Sequence, residues 1–144
     1  MNLFGMLEIS GSALLAERQR AEVVTSNMAN VETTRTPSGG PYRRELVVFR
    51  AQRFPRFPLV LAGFEHGRAQ GVRVDQVIPD SAPPVERFQP GHPDADARGY
   101  VKYPAVNPVD EVADLLGAVR AYELNASAVQ ATKSMIQQSL QILS

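Results

Sequence analysis

The side chains best suited to chemistry are Asp94, Asp96, His66, His92 and a run of arginines, and their spacing argues against a catalytic or metal centre. Asp94, Asp96 and Gly99 outline the start of a calcium loop. With Asp94 as the first ligand, Arg98 falls on the fifth position and Ala105 on the twelfth, where oxygen ligands are required. The stretch therefore reads as a structural loop. His66 and His92 are the only histidines and no cysteine accompanies them, so a zinc site is short of donors. His92, between Gly91 and Pro93, is placed to support a turn. The chain shows no Gly-x-Ser-x-Gly elbow and no phosphate-cradling glycine loop, and its dispersed carboxylates define no acid/base pair. Neither an enzyme nor a bound cofactor is expected.

Charge and amide groups are more informative. Residues 35–73 hold eight basic against two acidic side chains, whereas 1–34 hold two against four and 74–144 hold five against nine. Opposite blocks in a chain of zero net charge favour contacts between copies, a basic patch for an acidic partner, or internal ion pairs. Arg43, Arg44, Arg50, Arg53 and Arg56 interleave with Phe49, Phe54 and Phe57, as in nucleic-acid binders, but neutrality and a pI near 6.7 weigh against that class. Asn27, Asn30 and Asn125 lie inside helix-forming segments. Asparagine is a poor helix-interior residue, and a buried one in a helical seam fixes register at some cost in stability. For Asn30 a frayed helix end is the competing reading.

The elements that must carry these residues divide sharply. All eleven prolines lie between Pro37 and Pro108, and both ends read as uninterrupted amphipathic helices. The first is expected from about Leu3 to about Glu32. Leu7, Leu14, Ala21, Val24, Met28 and Val31 share one face, with Glu17, Arg18, Gln19 and Arg20 mostly outward. Strands are expected at Tyr42 to Arg50, around Val72, Val74 and Ile78, and at Val85 to Phe88, with residues 89–99 a loop. Phe54, Phe57, Leu59, Val60 and Leu61 form an apolar cluster between breakers at Pro55 and Pro58.

The second helix is expected from Asn107, as its cap, and Pro108, at the first helical position, to about Leu143. Asp110 completes a pattern like a capping box, and Asp110, Glu111 and Asp114 suit the helix dipole. Leu115, Val119, Tyr122, Ala126, Val129, Lys133, Ile136, Leu140 and Leu143 alternate steps of four and three, the spacing of a coiled-coil seam with Lys133 as its one polar member. Leu116 and Leu124 lie off that seam, so packing on more than one side is expected, between subunits. No run of 18 apolar residues exists to span a membrane. The start lacks the features of a cleaved secretory signal. The chain is α+β: two long terminal helices packing as a coiled coil, with a small β-rich, Pro- and Gly-rich middle. The expected division is 1–34, 35–106 and 107–144, the two helices forming one inner domain.

Several stretches also resemble a known family. Ser12-Ala13-Leu14, Arg20, Val24 and Ser26-Asn27-Met28-Ala29-Asn30 are similar to the N-terminal signature of the flagellar axial proteins. Residues 36–44, TPSGGPYRR, and Val47-Val48-Phe49 continue the match. Gly71-Val72-Arg73-Val74, Pro90-Gly91-His92-Pro93, Ala95-Asp96 and Gly99-Tyr100-Val101 look like the proximal rod branch of that family. Arg120-Ala121-Tyr122-Glu123-Leu124-Asn125 and Lys133-Ser134-Met135 are similar to its C-terminal helix. The resemblance implies a non-enzymatic rod subunit exported by the flagellar type III apparatus without a cleaved signal. It also implies terminal helices packed in the inner tube of the axial structure and a β-rich middle facing outward. Partners implied are other copies of the chain, the rod proteins FlgB, FlgF and FlgG, and the basal-body base, with neither nucleic acid nor membrane insertion. Asn27, Asn30, Arg120, Tyr122 and Asn125 are assembly residues by this analogy, joined from the seam and first-helix patterns by Leu14, Val24, Leu115, Val119, Val129, Ile136 and Leu140. The alternative from periodicity alone is a free-standing helical adaptor or oligomerisation protein.

Overall fold

The computed structural model describes residues 3–53 and 70–143. Helix α1 runs from Leu3–Ala29, followed by strands β1 (Glu45–Arg53), β2 (Gln70–Pro79), β3 (Val85–Phe88) and β4 (Tyr100–Tyr103), and helix α2 (Pro108–Leu143). β1 pairs with β2 in one two-stranded sheet and β3 with β4 in another. The second pair is antiparallel, with Val85 opposite Tyr103 and Phe88 opposite Tyr100. The architecture is α+β, as the periodicity predicts. The expected apolar cluster at Phe54, Phe57, Leu59, Val60 and Leu61, together with Arg56 and His66, lies outside the described residues.

Several boundaries differ from expectation, each for a local reason. α1 stops at Ala29 rather than Glu32. Asn30 folds back on the last turn, its side-chain Nδ2 and its amide both donating to the Ser26 carbonyl, and Thr33 then bonds to Asn30 through hydroxyl and amide. β1 begins at Glu45 rather than Tyr42, because the Tyr42 amide is spent on the Thr33 carbonyl at 3.0 Å. β4 has no counterpart among the predicted strands; its signal is the short alternation Tyr-Val-Lys-Tyr, in which Val101 and Tyr103 turn inward. α2 starts as expected, with the Val109 amide donating to Asn107 Oδ1 at 3.1 Å.

Two compact units emerge. One takes in the described residues of Met1–Gln19, Phe49–Asp75 and Ala118–Ser144, and the other Arg20–Val48 and Gln76–Gly117. In the first, Ala16, Ala118 and Thr132 are buried, and the Val72 amide donates to Ser12 Oγ at 3.0 Å. In the second, Val24, Val101, Tyr103 and Val106 form the apolar core. There Arg20 on α1 is bonded to Asp114 on α2, so it is not among the outward-facing residues of the first helix.

The loop before β4 is closed by Asp96. Its Oδ1 accepts the Arg98 amide at 2.8 Å and the Tyr100 amide at 2.9 Å. Gly99 sits between them at φ 82°, where a β-carbon would meet Phe88 Cε2 at 3.0 Å and Pro90 Cβ at 3.1 Å. Gly99→Ala is therefore expected to cost about 1–3 kcal/mol, measurable as a lower urea midpoint. The Tyr100 amide bond, against a smaller opposing desolvation and aided by Arg98, holds the Asp96 carboxyl below its ordinary value. A depressed carboxyl contributes stability above its unfolded pKa and loses it as pH falls through the folded one. The Tyr100 and Arg98 amide NMR shifts are accordingly expected to stay constant at neutral pH and to move below about pH 4.

Candidate functional site

Asn27 projects from the last turn of α1, is 1% exposed, and uses its whole hydrogen-bonding capacity. Nδ2 donates to the Glu45 carbonyl at 2.9 Å and to Glu111 Oε2 at 3.1 Å. Oδ1 accepts the Glu45 amide at 2.9 Å and the Tyr42 hydroxyl at 3.0 Å. Two donors and two lone pairs are all engaged. Because the carboxamide meets both the amide and the carbonyl of Glu45, it acts as a one-residue neighbouring strand against the edge of β1.

Glu111 is the other half of this clasp. It is 0% exposed, and Oε1 accepts Arg44 Nε at 2.5 Å. Its place in the first turn of α2 adds the favourable end of the helix dipole. Arg44 reaches in from a half-buried position, with Nη1 4.0 Å from Asp80 Oδ2. The network joins the end of α1, the start of β1 and the start of α2. A buried ion pair of this kind adds little net stability, but loss of one member leaves the other charge stranded.

Other polar residues read from the sequence have local work. His92 Nδ1 accepts the Asp94 amide at 3.1 Å, and Asp94 Oδ2 accepts the Thr34 hydroxyl at 2.8 Å, closing the loop before β4. Asp75 takes Arg50 at 2.8 Å and Arg73 at 3.4 Å, which spends part of the basic block internally. Among the described residues no three His, Asp or Glu side chains are grouped to hold a metal ion.

The expected assembly residues separate by exposure. Val24 and Asn27 are buried, and Leu14, Asn30, Leu115, Asn125, Val129 and Ile136 are half-buried. Val119, Arg120, Tyr122 and Leu140 are exposed. Asn125 bonds to the Ala121 carbonyl of its own helix at 2.8 Å. On α2 the buried positions Glu111, Ala118 and Thr132 recur in multiples of seven with the half-buried Asn125, so the stripe covered within the chain lies beside the four-three seam. Thr132 is buried in place of Lys133, which is exposed. Ala118 and a threonine bonded to the Ala128 carbonyl occupy the covered stripe beyond Glu111, and larger apolar side chains such as Val119 and Tyr122 are exposed.

Comparison with known proteins gives this arrangement a family. The family described as "Flagella basal body rod protein" matches residues 7–35, and "Flagellar basal body rod FlgEFG protein C-terminal" matches residues 97–142. The flagellar basal-body rod protein FlgC of Yersinia enterocolitica is 42% identical over 97% of both chains. Those of Borreliella burgdorferi and Bacillus subtilis are 39% and 38% identical, each over 99% of both chains. The chain belongs to the FlgC family. It is a structural subunit of the flagellar basal-body rod, and so a part of the bacterial motility apparatus.

Within this FlgC-family chain the two matched segments carry the two halves of the clasp. Asn27 falls in residues 7–35 and Glu111 in residues 97–142, while Tyr42 and Arg44 lie outside both. Sequence reasoning placed Asn27 among the important residues but not Glu111, Arg44 or Tyr42. Glu111 reads locally as one more acid in a helix's first turn, and only its partner across 84 residues distinguishes it. Arg44→Met is expected to cost about 3–5 kcal/mol by stranding the Glu111 carboxylate. Arg44→Met with Glu111→Leu should recover part of that loss in urea unfolding, because both charges are then absent.

Proposed function

We propose that this rod subunit polymerises through its terminal helices, with residues 1–34 and 107–144 acting together as an inner axial domain and 35–106 as the outer part. The observation that carries this reading is the apolar surface α2 leaves uncovered between residues 118 and 143. Val119, Tyr122, Leu124, Met135, Leu140 and Ile142 are all exposed there, whereas a helix surrounded by water is normally polar on that side. Burial against neighbouring subunits is the outcome that favours assembly. In this proposal Val119, Arg120, Tyr122 and Leu140 meet neighbours directly. Leu14, Val24, Asn27, Asn30, Leu115, Asn125, Val129 and Ile136 shape the subunit that presents them.

The reading extends to place and partners. The subunit sits in the proximal rod, reached through the flagellar type III export apparatus. It adjoins further copies of itself, FlgB, FlgF, FlgG and the basal-body base. It performs no enzymatic step; its work is to hold position and transmit load.

Exposure separates two classes of variant. Leu140, 62% exposed, can become Asp with little effect on the isolated fold, while Val24→Asp places a charge in the core. Leu140→Asp is expected to melt within a few degrees of the parent yet be lost from purified hook–basal bodies. Val24→Asp is expected to lose the folded state itself. Recovery of Leu140→Asp in basal bodies at the parent's level, with normal swimming, would count against polymerisation through this helix.

A further inference from the structure

Side chains that change charge near neutral pH are rare in this chain. Histidine is the residue type that does so between pH 5 and 8, and the sequence holds two, His66 and His92. His92 is half-buried at the start of the loop between β3 and β4. The direction of its hydrogen bond is what matters. The Asp94 amide donates to Nδ1 at 3.1 Å, so Nδ1 presents a lone pair and the one ring proton is on Nε2. Only a neutral imidazole can make this bond. An imidazolium carries a proton on both nitrogens, which sets two donors 3.1 Å apart with no acceptor between them.

The backbone of His92 is anchored on both sides. Its amide donates to the Gln89 carbonyl at 3.1 Å, and its carbonyl accepts the Ala95 amide at 3.0 Å. The change on protonation therefore falls on the ring and on the Asp94 peptide. The ring meets Tyr103 of β4 edge to face, with centroids 6.3 Å apart. The Arg87 guanidinium of β3 already lies 4.6 Å from the centre of that tyrosine ring. On the loop itself, the Asp94 carboxylate accepts the Thr34 hydroxyl at 2.8 Å and lies 3.9 Å from Arg35, on the segment after α1. A positive charge on His92 thus meets Tyr103 and Arg87 from the sheet, Asp94 from the loop and Arg35 behind it. Neither attraction to Asp94 nor repulsion from the two arginines gives the Asp94 amide a new acceptor.

We propose that His92 is a proton-operated latch on the loop before β4. Neutral, it closes residues 92–94 by accepting the Asp94 amide; protonated, it opens them. The closing bond is present while the imidazole is neutral and is lost as pH falls. Asp94 is also the residue that holds the Thr34 hydroxyl, so opening loosens the tie between this loop and the segment after α1. The far end stays closed, because Asp96 still accepts the Arg98 and Tyr100 amides. The latch lies within one compact unit and does not depend on how subunits assemble.

The test is NMR on the full-length subunit from pH 8 to pH 5, a window above the ordinary carboxyl range. The His92 Hε1 signal and the exchange protection of the Asp94 amide are followed together, the latter corrected for intrinsic exchange. Protection of Asp94 is expected to fall about two- to tenfold, the weight of one hydrogen bond, with the same midpoint as His92. The Arg98 and Tyr100 amides are expected to stay level. His92→Gln supplies a side-chain carbonyl that accepts without titrating, so its Asp94 protection should not vary across the window. Three results would each overturn the latch: level Asp94 protection while His92 titrates, a His92 that stays neutral down to pH 5, or an equal step in His92→Gln.

Discussion

The fold of the second unit depends on one buried amide. Asn27 substitutes for a strand at the edge of β1 and holds the carboxylate of Glu111, which in turn holds Arg44. Each side-chain oxygen and nitrogen of Asn27 and Glu111 has a partner contributed by a different part of the chain, so displacing Glu45, Tyr42 or Arg44 leaves a buried group short of a bond. The arrangement specifies geometry more than it adds stability, since an ion pair removed from water gains little over apolar packing. For a part that must present the same shape in every copy of a polymer, uniqueness of the fold is the property of value.

The helices divide their surfaces between two needs. On α2 the covered side carries Ala118, Asn125 and Thr132, small or locally bonded residues that permit close approach. The larger Val119, Tyr122, Leu124 and Leu140 stay outside. A helix that spent its large apolar residues on its own chain would have a stronger monomer and a weaker polymer. The opposite allocation is the one that the proposed assembly through α2 calls for.

Much of the architecture was legible from local pattern. The proline-free ends, the Asn107 cap followed by Pro108, and the β-branched runs at Val47-Val48 and Val72 to Val74 identify their elements with no tertiary information. β4 was not legible, because four residues after a glycine turn carry too little periodicity and their strand state depends on Val85 to Phe88 opposite. The seven-residue period of α2 was legible, but Val119 and Tyr122 satisfy a four-three spacing as well as Ala118 and Thr132 do, so the stripe covered within the chain was not. Hydrophobicity ranks the larger residues as buried, and only the neighbouring chain decides which stripe it can approach.

The sequence alone therefore settled the element class, two terminal helices and a β-containing middle, because period, breakers and caps are encoded within a few residues of one another, while the rod-protein family was legible only as a resemblance of whole motifs. The tertiary structure decided which polar residues matter. Glu111 and Arg44 are ordinary charges until they meet, 67 residues apart in the chain and 2.5 Å apart in space. Such pairings depend on how distant segments are brought together, which local propensity does not encode.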